Sequence, residues 1–66
     1  MKVKYYKKDD LLVIELSRKP FDDAEMEGDF IVHYSKDKEP VSIEVLNASK
    51  FLKATSKAVG TKQLTV

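Results

Sequence analysis

The chain has 66 residues, 12 basic side chains against 11 acidic ones, one histidine and no cysteine. That length makes one small domain, whose core supplies only about 3–5 kcal/mol, so a disulfide, a metal or a partner subunit is usually needed as well. Lack of cysteine excludes disulfides and, with a single histidine, argues against structural zinc. Oligomerisation is the remaining route, and a homodimer or an obligate protein partner is expected.

Lys2 to Tyr6 (KVKYY) alternates lysine with apolar residues, which suits a half-buried edge strand whose lysines discourage edge pairing. KKDD supplies a turn, and Leu11 to Leu16 (LLVIEL) is the most apolar run, short and rich in strand formers. Val3–Tyr6 and Leu11–Leu16 therefore form a hairpin. Pro20 breaks the pattern. FDDAEME, residues 21–27, suits a short exposed strand or an extended loop. Gly28-Asp29 turns the chain into Phe30 to Tyr34 (FIVHY), a strand, and after the polar turn SKDKE, Pro40 opens a strand marked by Val41, Ile43 and Val45. The spacing becomes helical at Asn47, a candidate N-cap, with Ala48, Phe51, Leu52 and Thr55 on one stripe and Gly60 as a stop. Lys53 and Lys57 suit the negative end of the helix dipole.

These elements predict an α+β fold: an antiparallel β-meander of four to five strands followed by one C-terminal helix. The chain is one domain, with the meander over 1–46, the helix over 47–59 and a tail over 60–66 expected to be poorly ordered.

Alternation assigns Leu12, Ile14, Leu16, Phe30, Val32, Tyr34, Val41, Ile43 and Val45 to a core face. The opposite parity still holds Leu11, Val13, Ile31 and Leu46. One short helix cannot cover both faces, whereas an antiparallel sheet wet on one side alternates more cleanly. The expected resolution is that the helix covers one face and another subunit part of the other. The candidate interface is Leu11, Val13, Ile31, His33, Glu44 and Leu46.

Little in the chain points to chemistry. His33 lies on the opposite parity to Val32 and Tyr34 and is expected at a surface or interface. None of the serines has a nucleophile-elbow context. The acidic pairs Asp9-Asp10 and Asp22-Asp23 suit turns and surface, since adjacent carboxylates on a strand point to opposite faces. Glu44 is expected to be exposed or paired with a lysine at an interface. The chain has only two glycines, too few for a phosphate loop. No catalytic, cofactor-binding or metal-binding residue is identified, and no cofactor or enzymatic activity is expected.

Net charge is +1, but its distribution is uneven. Lys2, Lys4, Lys7 and Lys8 crowd the start, Asp22, Asp23, Glu25, Glu27 and Asp29 the middle, and no acid follows Glu44. The first lysines, with Tyr5, Tyr6 and Tyr34, give a weak signal for single-stranded nucleic acid. No apolar run approaches the roughly 20 residues that cross a membrane, and MKVKYYKKDD lacks the apolar segment of a signal peptide. A cytoplasmic location is expected, with no membrane partner.

Two blocks, YYKKDDLLVIEL from Tyr5 and FIVHYSKDKEPVSIEVLNAS from Phe30, together resemble the DUF2283 family of small, uncharacterised prokaryotic proteins. Tyr5, Asp10, Leu12, Ile14 and Leu16 match its first motif. Val32, Tyr34, Asp37, Val41, Ile43, Glu44, Leu46, Ala48 and Ser49 match its second. Tyr6, His33, Ser35, Lys38 and Ser42 depart from it: the family tends to place acids at the first three, a turn glycine at Lys38 and a glycine at Ser42. The resemblance implies a small β-meander with a terminal helix and no established activity. Some members look like partners of small toxin-like proteins, which implies an antitoxin-like role. The resulting expectation is a non-enzymatic protein-interaction module, homodimeric or paired with another small protein. The alternative is a nucleic-acid-binding protein using the lysine-rich N-terminus and the C-terminal helix.

Overall fold

Period-two alternation places five strands in one antiparallel sheet, and the switch at residue 47 adds one helix, in a computed structural model that describes residues 1–60. The elements are β1 (Lys2–Tyr6), a 3-10 turn (Lys7–Asp9), β2 (Leu11–Glu15), β3 (Asp23–Glu27), β4 (Phe30–Tyr34), β5 (Pro40–Leu46) and α1 (Ala48–Gly60). Residues 21–27 thus resolve into an exposed strand over their last five positions. The helix starts and ends one residue later than expected. The expected tail, apart from Gly60, lies outside the described residues.

The strand order is β1-β2-β5-β4-β3. β5, the longest strand at seven residues, returns between β2 and β4 and occupies the centre. A β1–β2 hairpin and a β3–β4–β5 meander are thereby joined along β2·β5. The connection from β2 to β3 crosses the end of the sheet, where the amides of Leu16 and Ser17 both donate to the carbonyl of Val41, at 2.8 and 3.2 Å. The amide of Asp22 donates to Tyr34 at 3.2 Å. Register slips between His33 and Tyr34, which pairs Tyr34 with Pro40 and takes Val41 out of the alternation expected for it.

The core is small. Leu12 and Val45, opposite each other across β2·β5, are 7 % and 1 % exposed, and Ala48, the first helical residue, is fully buried on them. Ile14 and Ile43 pack against this cluster. Of the rest of α1, Phe51 meets Phe30 edge-on, ring centroids 5.4 Å apart, yet residues 51–58 are all exposed. The stripe expected from the sequence is therefore seated at Ala48 and only partly beyond it.

The start of α1 is held from a distance. Asp10 adopts the left-handed conformation (φ +50°) and presents both its carbonyl and its carboxylate to the helix. The amide of Ala48 donates to the Asp10 carbonyl at 2.9 Å. The amide of Ser49 donates to Asp10 Oδ1 and its hydroxyl to Oδ2, both at 2.8 Å. Asp10, not Asn47, is thus the side chain that caps α1. Asn47 is itself left-handed at φ +52°, not the extended backbone of a capping residue, and its side-chain amide reaches Asp29 Oδ1 at 3.5 Å instead.

Lys38 also lies in the left-handed region, at φ +66°, in the turn where the resembled family tends to have glycine. That conformation costs an L side chain about 1–2 kcal/mol. Lys38→Gly should therefore raise stability by up to about 1 kcal/mol, part of the gain being offset by glycine's greater entropy loss and by the exposed Lys38–Asp23 pair. Urea denaturation measures this; a destabilised variant would contradict the backbone assignment.

Candidate functional site

Register sorts the side chains onto two faces. Pairing of Leu12 with Val45, Ile14 with Ile43, Phe30 with Val45 and Val32 with Ile43 puts these residues on the face that α1 joins. On the other face Leu11 stands opposite Leu46, Val13 opposite Glu44, Ile31 opposite Glu44 and His33 opposite Ser42. All six residues of the candidate interface therefore share one face, and each is partly exposed. Neither the helix nor a second layer covers them among the described residues.

This open face is apolar across its middle. Val13 and Ile31 flank Glu44, with Leu11 and Leu46 in the next row. Tyr6 extends the band on β1, opposite Leu11, and Met26 on β3, opposite Ile31. Met26 is 64 % exposed. Sequence reading missed it because the acids around it masked the alternation of Ala24 and Met26 with Asp23, Glu25 and Glu27.

At the centre of the band, His33 Nε2 and Glu44 Oε1 form a hydrogen bond of 2.9 Å, both side chains half-buried. Glu44, expected to be exposed or paired with a lysine at an interface, is half-buried and meets a histidine of the neighbouring strand. Phe21, from the β2–β3 connection, stacks on the imidazole at a tilt of 44°, centroids 4.5 Å apart. Ser42 lies opposite His33 in register, but no hydrogen bond joins the two among the described residues. Serine, histidine and glutamate therefore do not form a nucleophile–base–acid relay. The pair instead gives an apolar band one oriented polar feature.

The residues of the nucleic-acid alternative are not brought together. Lys2, Lys4 and Tyr6 belong to the open face, while Tyr5, Tyr34 and α1 belong to the other. Among the described residues, no group of three His, Asp or Glu side chains is placed to hold a metal ion, and no helix is long and apolar enough to cross a membrane.

A second polar cluster lies at the helix start. Tyr5 donates its hydroxyl to Asp10 Oδ1 at 2.6 Å, on the oxygen that also accepts the Ser49 amide. Donation from Tyr5 and then from Ser49 holds the Asp10 carboxyl below the usual carboxylate range, and the same contact raises the Tyr5 hydroxyl. The cluster is a cap: the hydroxyls of Tyr5 and Ser49 and the Ser49 amide all donate to the Asp10 carboxylate.

Because the folded pKa of Asp10 lies below its unfolded value, its contribution to stability is complete above about pH 4 and fades as pH falls through the lower, folded value. Asp10→Asn should therefore melt below the parent at pH 7, and the two melting temperatures should converge as pH falls through the lowered, folded value. A gap that persists at low pH would show that the carboxylate charge is not what holds the helix start.

Comparison with curated proteins and with solved structures found no match. A family model described as a protein of unknown function (DUF2283) matches residues 2–49, from the first strand to the serine that Asp10 caps. The match spans the whole sheet and both halves of the Asp10 cap, and on it the chain belongs to the DUF2283 family.

Proposed function

We propose that this protein is a non-enzymatic protein-interaction module that binds a protein partner through the open face of its sheet. The observation that carries the reading is the apolar band of Leu11, Val13, Ile31 and Leu46 around the His33–Glu44 pair, on a face that no element covers among the described residues. A two-layer fold buries one face of its sheet; a second apolar face is surface in search of another chain. The band has the make-up of an interface centre, apolar with a polar pair to set register. An antitoxin-like pairing with another small protein is one form of this reading, and its support is the family resemblance alone. Nucleic-acid binding has less behind it, because the lysines of β1 and those of α1 belong to opposite faces.

The test is to express the chain with the product of the adjacent gene and to follow association by light scattering and titration calorimetry. Val13→Lys with Ile31→Lys should weaken binding at least about tenfold, since each places a charge in an apolar contact. Circular dichroism should be unchanged, because both side chains already have access to water. A variant that binds as tightly as the parent would place the contact elsewhere. A parent that binds neither itself nor that neighbour would remove the support for the reading.

A further inference from the structure

β1 and β3 are the two edges of the sheet, and all five residues of each are exposed. An edge strand presents a row of unpaired N–H and C=O groups, a template for one more strand. The two edges carry opposite charge, Lys2 and Lys4 on β1 against Asp23, Glu25 and Glu27 on β3. Lys2, Lys4, Glu25 and Glu27 are in no ion pair among the described residues, and Lys4 stands opposite Val13 in its own hairpin, not opposite an acid. Like charges set β1 against a second β1, and β3 against a second β3. The same charges draw β1 to β3 of another copy.

Parity decides which way round these edges meet. On β1 the lysines lie on the open face, while Val3 and Tyr5 lie on the helix side, paired with Ile14 and Leu12. On β3 the arrangement is inverted: Glu25 and Glu27 lie on the helix side, paired with Val32 and Phe30, while Ala24 and Met26 lie on the open face. Two copies meeting with the same face up would set lysines beside Ala24 and Met26, and acids beside Val3 and Tyr5. Turning one copy over, about an axis across its strands, brings lysines and acids to one side and the apolar side chains to the other. β1 and β3 run in the same direction, since every pairing in the sheet is antiparallel. The turned copy therefore makes an antiparallel pair like the rest. Aligning Lys4 with Glu25 then sets Lys2 beside Glu27, Val3 beside Met26 and Tyr5 beside Ala24. A nucleic acid or an anionic bilayer would match the lysines and nothing on β3, whereas a second copy matches both edges and their backbone groups.

We propose that copies of this chain join edge to edge, β1 of one pairing antiparallel with β3 of the next, each copy turned over relative to its neighbour. The operation is a half-turn with a step along the sheet, so the contact does not close and copies add in a row. Strands of five residues give a small contact, so the row is reversible and forms at high concentration. It goes beyond the open-face reading and uses neither face, which leaves the His33–Glu44 band of every copy free for a different partner.

Sedimentation velocity at about 0.01 to 1 mM and low salt should show the mean mass rising from 7.5 kDa past that of a dimer. Lys2→Glu with Lys4→Glu makes both edges acidic, and Glu25→Lys with Glu27→Lys makes both basic. Each double variant alone should associate at least about tenfold more weakly than the parent. An equimolar mixture of the two should associate again, with the chains alternating. All four residues are exposed, so folding should be retained, as circular dichroism can verify. Lys7→Glu with Lys8→Glu changes the net charge equally but lies in the turn after β1, and its mixture with the basic-edged variant should not recover association. Val13→Lys, on the open face, should leave assembly unchanged. A parent that stays monomeric at 1 mM, association indifferent to either edge reversal, or equal recovery with the turn variant would overturn the pairing. A species that stops at the dimer and is lost with Val13→Lys would overturn it too, and would place self-association on the open face.

Discussion

One residue joins the two parts of this molecule. Asp10, in the turn after β1, fixes α1 with its backbone carbonyl and both oxygens of its carboxylate, and holds Tyr5 of β1 as well. The position demands a left-handed backbone, which aspartate tolerates better than most residues, and a short acceptor that reaches the first orphan amides of a helix. The anion also lies at the positive end of the helix dipole. Beneath this contact sit Leu12, Val45 and Ala48, the buried cluster of the chain. With so little apolar burial, the angle at which the helix leaves the sheet depends on polar geometry more than on packing.

That dependence has a consequence for the surface. Pinned at its first turn, α1 covers the row of Leu12 and Val45 and leaves the next row, Ile14, Ile43 and Val32, half-buried at best. Among the described residues the opposite face receives no layer, and Phe21 of the β2–β3 connection leans on it at His33. A protein of this size thus keeps apolar area on both sides of one sheet, and this is the physical basis for the proposal that it binds a protein partner. Its edges, by contrast, are guarded, by Lys2 and Lys4 on β1 and by Asp23, Glu25 and Glu27 on β3, which discourage like edges from pairing.

Much of this was legible in the sequence. The two hairpin strands, FIVHY, the proline at the head of β5 and the change of period at residue 47 follow from alternation and turn chemistry. The parity of Leu11, Val13, Ile31, His33, Glu44 and Leu46 predicted their shared face, because side-chain direction is fixed by position along a strand. What alternation cannot supply is adjacency. Nothing in the spacing places β5 between β2 and β4, so the histidine that meets Glu44 was hidden. The cap was hidden for the same reason: its two partners are 39 residues apart, and the nearby Asn47 offered a local alternative that its left-handed backbone rules out. In retrospect the motif residues carried the signal, since Tyr5, Asp10 and Ser49, drawn from both blocks of the family resemblance, converge on this one contact.

Amide hydrogen exchange at Ser49 tests the clasp most directly. If Asp10 carries the joint, the Ser49 amide exchanges in the parent as slowly as amides of β5. In Asp10→Ala it loses that protection, while the β2·β5 ladder keeps its own. Equal protection of Ser49 in the parent and the variant would contradict the account, because the helix start would then be held by something other than Asp10.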